Sequence, residues 1–198
     1  DSNMFMPPEE IRKMIDLSGE NNRFVRLVER ESGEKTFLRI FDDAMLFPTE
    51  AEITAAFKRL VMNLPTVGFL QGHGERDCVK EGDRDYNLFA WAKTYRYALI
   101  NNGFDIVEVS LDKALPEKLD ILVIADMKTP LSAEEMNRLN AYVERGGNLL
   151  IVGEPRRQNI MNPIIEQFGV QLMSGQLVRP TEHFTPDLVL ARATEEAG

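Results

Sequence analysis

From residue 66 onward the chain alternates between short apolar runs and amphipathic stretches. This alternation limits its fold more than any other feature. The runs are "TVGFLQ" (66–71), "FDIVEVSL" (104–111), "LDILVIAD" (119–126) and "NLLIVGEP" (148–155). Between them lie "YNLFAWAKTYRYALINNG" (86–103) and "SAEEMNRLNAYVERGG" (132–147), then "QNIMNPIIEQFG" (158–169) and a fifth strand-like run, "VQLMSGQLV" (170–178). Strands separated by helices require crossover connections, which are right-handed and pack on both faces of a parallel sheet. The third run is apolar through its middle, as expected for a strand covered on both faces. The expectation is an α/β fold, an open doubly wound parallel sheet of flavodoxin-like order. The four firm strands should run 2-1-3-4, with residues 66–71 in a central position.

The helices carry their own boundary signals. Ser132 and Glu135 form a capping box, and Gly146 and Gly147 end that helix. In 86–103 the helical spacing of Leu88, Trp91, Ala92, Tyr95 and Leu99 predicts an inward face, with Gly103 as the stop.

Residues 1–63 follow a different pattern. "PPEEIRKMIDLSGE" puts Ile11, Met14 and Ile15 on one helical face behind prolines suited to a helix start. "RFVRLVERESGEKTFLRIF" contains two β-rich runs around Gly33 and predicts a hairpin. "PTEAEITAAFKRLVMNLP" opens on a second capping box, Thr49 with Glu52. Ile53, Ala56, Phe57 and Leu60 follow at helical spacing, and Pro65 closes the helix. The chain thus divides into a partial N-terminal α+β segment, 1–63, and an α/β domain, 64–198. The opening "DSNMFMPP" reads as a cut made inside a longer protein.

Ligands of such sheets sit at the carboxyl ends of the strands. Gly72, His73, Gly74 and Glu75 leave the first strand at that edge. Asp126, Met127 and Lys128 leave the third there, and Gly153 and Glu154 the fourth. Glycines at 72 and 74 permit positive φ and a close approach of the backbone. These positions make Gly72, His73, Gly74, Glu75, Asp126, Lys128 and Glu154 the candidate ligand- or partner-binding residues. A plain strand-to-loop turn explains the Gly-His-Gly-Glu stretch equally well at this level.

Several chemistries fail on the residues present. A dinucleotide fingerprint needs a third glycine where Asp77 stands, and Glu75 and Asp77 oppose a pyrophosphate. No Walker lysine follows. Nucleophilic catalysis needs a Ser or Cys at a strand end, but the ends read Ala125-Asp126-Met127 and Val152-Gly153-Glu154. Cys78 lies past its strand among acidic neighbours and reads as an incidental thiol. A metal site built on His73, Glu75 and Asp77 has only His183, more than a hundred residues away, to supply a second imidazole. Neither a catalytic residue nor a metal or cofactor is assigned. The net charge of −9 argues against nucleic acid as a partner. No run approaches the roughly 20 apolar residues of a membrane span.

The blocks "PTVGFLQGHGERD", "LINNGFDIVEVSL", "LDILVIADMKTPLSAEEMNRLNAYVERGGNLLIVGEP" and "NPIIEQFGV" carry a resemblance in order. Over about residues 45–180 the chain resembles the auxiliary component of an uncharacterised ABC transport system, the gliding-motility-associated family of the Bacteroidetes. The Gly-His-Gly-Glu block falls on Gly72 to Glu75. The resemblance implies an amidotransferase-like α/β domain, a fold shared with an intraflagellar-transport domain, and no catalytic nucleophile. It implies a non-enzymatic accessory on the extracytoplasmic (periplasmic) face of the inner membrane, anchored by segments outside this chain. Its expected partners are ABC permease and ATPase subunits, with a small-molecule or glycan ligand. The alternative is a divergent hydrolase using His73, Glu75 and Asp126 on a sugar-like substrate.

Overall fold

The computed structural model describes residues 5–175 apart from 22, 42, 44 and 46, together with 178–180, 182 and 185. Four strands, β3 (Thr66–Leu70), β4 (Asp105–Val109), β5 (Ile121–Ala125) and β6 (Asn148–Val152), form a parallel sheet in the order β4-β3-β5-β6. This is the 2-1-3-4 order expected from the sequence, with β3 and β5 in the middle. The register sets Val67 beside Ile106 and Ile121, and Leu122 beside Leu149. The fold is an open α/β sheet of flavodoxin-like type.

Each face of the sheet has its own core. On one, Leu70, Leu122 and Ile124 meet Leu139 and Tyr142 of α4 (Ala133–Glu144) and Met161 and Ile164 of α5 (Gln158–Ile165). On the other, Val67, Phe69, Ile106, Val123 and Ala125 meet Cys78 and Ala90 from the β3–β4 connection. Strands covered on both sides can be apolar throughout, which is why β5 reads as one unbroken run. The Ser132–Glu135 capping box forms as expected, and so does the Thr49–Glu52 box at the start of α2 (Glu50–Val61).

The N-terminal segment contains a short helix, α1 (Pro8–Met14), and an antiparallel hairpin of β1 (Val25–Glu29) and β2 (Lys35–Arg39). Three arginines join it to the α/β part. Arg39 donates to both oxygens of Glu20 (2.6 and 2.7 Å) and to Asn101 (3.0 Å). Arg59 donates to Asp105 (2.6 Å) and to the Phe104 carbonyl (3.1 Å). Arg96, itself buried, donates to Asp43 through two bonds of 2.8 Å and also contacts buried Glu52. On α2, Glu52, Ala55 and Ala56 face inward, whereas Phe57, expected on the inner face, is exposed.

Two expectations are corrected. The long helix over 86–103 is only one turn, α3 (Asn87–Ala90), followed by bends and a 3-10 turn at Leu99–Asn101. Of its expected inward face, Leu88 and Tyr95 are exposed, whereas Ala90, Arg96 and Ala98 are buried. The carbonyls a helix would use are taken by side chains. Asn101 donates to Ala92 and Tyr95, and Asn102 to Arg96 and Ala98. Side-chain amides compete in this way with helical bonding, and Tyr95 and Tyr97 add little propensity. The expected fifth strand also fails: residues 170–175 form no strand, and 176–177 lie outside the described residues. Leu172 bonds instead to the Asn162 side chain, accepting from its Nδ2 and donating to its Oδ1.

Candidate functional site

Every sequence-predicted residue falls at the carboxyl edge of the sheet. β3 and β5 are neighbours there, but the chain leaves β3 toward β4 and leaves β5 toward β6. That divergence marks the topological switch point, the position at which such sheets take ligands.

The loop after β3 is bent by its glycines, with φ of +124° at Gly72 and +75° at Gly74, where a side chain would be strained. It is then tied down along its length. The His73 carbonyl accepts from the N–H groups of Lys128 (2.8 Å) and Thr129 (3.2 Å), and the Arg76 N–H donates to the Ala125 carbonyl (3.1 Å). A Cβ at Gly74 would stand 3.1 to 3.2 Å from side-chain carbons of Lys128. The close backbone approach that this glycine permits is therefore to Lys128.

The His73 ring lies between two carboxylates. Its Nδ1 is 3.3 Å from Glu75 Oε1, and its Nε2 is 3.2 Å from Glu135 Oε1. The His73 side chain is 11% exposed and that of Glu75 is 0%. The other Glu75 oxygen accepts from the His73 backbone N–H at 2.6 Å, so the carboxylate closes its own turn. The Nδ1–Oε1 approach has ion-pair distance without hydrogen-bond alignment, and both atoms remain without a hydrogen-bond partner. Hydrogen bonds from Ser132, helped less strongly by His73, hold the Glu135 carboxyl below the usual glutamate range.

On the β5 side, Asp126 takes a left-handed conformation (φ +51°) and donates its N–H to the Val152 carbonyl at 2.8 Å. Non-glycine residues held there cost of order 1–3 kcal/mol and cluster at ligand sites. Arg157, just before α5, brings its Nε to 3.5 Å from Asp126 Oδ1 without forming a hydrogen bond. Arg76 bridges to Glu154, donates to the Arg84 carbonyl at 2.8 Å, and lies 5.9 Å from the Tyr86 ring centre.

Six buried side-chain polar atoms lack a hydrogen-bond partner among the described residues. Five of them belong to Gln71, His73, Glu75, Arg76 and Asp126, and the sixth to Asn140. Buried polar groups are normally satisfied, so a concentration of exceptions in the two loops of one crevice needs a physical cause.

The structure brings Gly72 to Glu75 together with Lys128 through the backbone, and joins Glu154 to the same loop through Arg76. The sequence reading missed Arg76, Arg157 and Glu135. Glu135 had a signal, since a capping-box glutamate on the helix after β5 starts at this same edge. Cys78 stays an unactivated thiol, as expected, but it does not lie in a polar loop. It is a core residue, 1% exposed, beside Phe69 and Ile106. Burial first, then Glu108 and Asp77, push its thiol up to about 12. Asp77, Cys78 and Glu108 place ligand atoms within 4.8 Å of one another, but a protonated core thiol beside two acids is a poor donor set for zinc. His183 lies outside the described residues.

Among curated proteins and among solved structures, none matches this chain. A family model described as ABC-type uncharacterized transport system matches residues 64–191, the whole span from β3 past α5, and the chain belongs to that family of auxiliary ABC transport components.

Proposed function

We propose that the chain is a non-enzymatic accessory domain on the extracytoplasmic face of the inner membrane, acting beside ABC permease and ATPase subunits. Its carboxyl-edge crevice takes a small-molecule or glycan ligand, or a permease loop. The contact residues are Gly72, His73, Gly74, Glu75, Asp126, Lys128 and Glu154, extended by Arg76 and Arg157. The observation that carries this reading is the gathering of five unpartnered buried polar atoms in the loops after β3 and β5. A polar ligand or a partner's backbone supplies the bonds they lack, and the strained Asp126 backbone is the sort of feature kept where binding repays it. The hydrolase alternative is disfavoured, because both His73 nitrogens face carboxylates and the ring is only 11% exposed. A general base needs a nitrogen within reach of a substrate proton.

The test is chemical-shift mapping on the isotope-labelled chain, titrated separately with peptides of the permease's extracytoplasmic loops and with a panel of oligosaccharides. Saturable shifts over 71–76, 126–128 and 153–157 are expected with one of them. The Lys128→Ala variant should weaken that binding while its circular dichroism stays unchanged. Shifts confined to the amino-terminal edge of the sheet would overturn the assignment.

A further inference from the structure

Ile11 and Met14 share one side of α1, with Ile15 just beyond its end. No residue of that helix is buried, and Met14 is 62% exposed. These three line a hollow of about 380 Å³ between α1 and the hairpin, together with Met6, Phe24 and Leu27. Arg23 is the one charged residue among its described lining. Apolar surface gathered into one concave patch marks a binding site, whereas single exposed apolar residues carry no such meaning.

A second hollow, of about 460 Å³, adjoins the first. The two share Ile15, Leu27 and Phe37 in their linings, and Leu27 and Phe37 are cross-strand partners on the hairpin. Trp91 and Ile100 from the β3–β4 connection add to its apolar wall. Its charge is different in kind. Lys35, Arg39, Arg59 and Lys93 line it, and Asp16 is the one carboxylate among the described lining residues. In a chain of net charge −9, four cations against one acid reverse the sign locally. Their acidic partners stand outside the lining: Glu20 for Arg39 and Lys93, Asp105 for Arg59, and Glu29 for Lys35. Those partners fix the cationic heads in place, and a guanidinium has more N–H donors than one carboxylate uses. The bond from Arg59 to Asp105, the first residue of β4, sets this site at the amino-terminal end of the sheet, away from the loops after β3 and β5.

We propose that the joined hollows hold a single-chain lipid anion of the fatty-acid type. The acyl chain lies in the apolar hollow between α1 and the hairpin, and the carboxylate enters the second hollow among Lys35, Arg39, Arg59 and Lys93. Charge complementarity selects this occupant. A wholly apolar molecule would take water from the cationic heads and return nothing to them, which is costly. A small anion would leave the α1 hollow to water. Each hollow falls within the roughly 300–1,000 Å³ of small-molecule sites, and their shared wall makes one amphipathic groove. Lys35 is the cation an incoming head recruits first, since its side chain is 41% exposed and its pair with Glu29, at 3.5 Å, is weakened by solvent.

The chain has a single tryptophan, Trp91, in the wall of the cationic hollow, so its fluorescence reports on the site directly. The experiment titrates the full 198-residue chain with decanoate, and separately with decanol and butyrate. A saturable change in Trp91 emission is expected with decanoate. Butyrate, shorter by six methylenes, should bind about 100-fold more weakly. Decanol, which lacks the charge, should bind about tenfold more weakly. Lys35→Glu and Met14→Asp should each weaken decanoate binding by about tenfold while circular dichroism stays unchanged. Should either variant fail to fold, the three probes on the unmodified chain still decide. Absence of a saturable change with decanoate overturns the proposal. Equal binding of decanol overturns it by making the cations irrelevant, and equal binding of butyrate by leaving the apolar hollow without a role. A dimer in sedimentation that shifts Trp91 emission without added probe also overturns it, because a second copy then occupies the groove.

Discussion

His73→Ala is the most informative single substitution, because the crevice depends on that ring in two ways. The change leaves the backbone free to keep its bonds from Lys128 and Thr129, so the loop should hold its course. What it removes is the ring that stands 3.3 Å from one oxygen of a wholly buried carboxyl, whose other oxygen keeps its bond from the backbone N–H of residue 73. Leaving a buried polar group uncompensated costs about 1–3 kcal/mol, and a carboxylate belongs near the top of that range. The contact to Glu135 adds little, since ion pairs near solvent are worth about 0–1 kcal/mol. The expected loss is about 2–3 kcal/mol. At roughly 2–4 °C per kcal/mol for a chain of this size, melting should fall by about 4–12 °C. Urea unfolding is the assay, with an unchanged m-value showing that the cost lies in stability rather than compactness. In a Glu75→Gln background the same substitution should cost less than about 1 kcal/mol, because the buried acid that the ring faces is then gone. A loss below about 0.5 kcal/mol in the native background would place His73 with ordinary surface residues and refute the reasoning.

Three further outcomes follow from other parts of the molecule. Arg96→Met strands buried Glu52, and breaking such a pair costs about 3–5 kcal/mol, with the lower end expected because Asp43 is 38% exposed; urea unfolding should show it, with Glu52→Gln recovering part. Cys78 should resist a thiol reagent at pH 8 until the chain unfolds, given its 1% exposure and raised pKa; rapid labelling of native protein would contradict its place in the core. Stability should hold above about pH 5 and fall on acidification, since Glu20, Asp43 and Glu135 all have carboxyls held below their ordinary range. Burial of Glu20 acts to raise its pKa and is outweighed by Arg39 and Lys93. For all three, the unfolded chain takes up protons at a higher pH than the folded one, so the stabilisation is lost as pH drops through the folded values. Arg39→Met should flatten that acid limb in pH-dependent unfolding.

The parallel sheet was legible because its signals are local and agree with one another. β5 announces two-sided burial in its own residues, both long helices carry capping boxes, and handedness does the rest. Placement of the candidate residues at one edge follows from that topology alone. What was not legible depended on partners distant in sequence. The helix expected over 86–103 is broken by Asn101 and Asn102 taking its carbonyls, and by Arg96 reaching Asp43, 53 positions away. Cys78 stands in a polar stretch of sequence, yet in space it packs against Val67, Phe69 and Ile106, with Asp77 and Glu108 beside its sulfur. The burial of His73 depends on Glu135, which spacing assigned only to a helix cap.

That double duty of Glu135 explains how the crevice is held. One of its oxygens accepts the Ser132 N–H at 2.7 Å and completes the start of α4, while the other faces His73 at 3.2 Å. The loop after β3 is thus fastened to a helix that is itself fixed by Leu139 and Tyr142 in the core. The cap does not need His73, because the Ser132 bonds alone complete it. His73 is held through its backbone as well, since its carbonyl accepts from the N–H groups of Lys128 and Thr129 and its own N–H donates to Glu75. The positive φ of Gly72 and Gly74 lets the loop take the path that these backbone bonds require. The loop after β3, the turn after β5 and the start of α4 are therefore one joined structure at the carboxyl edge, tied by backbone bonds at Lys128 and Thr129 and by the contact of His73 with Glu135.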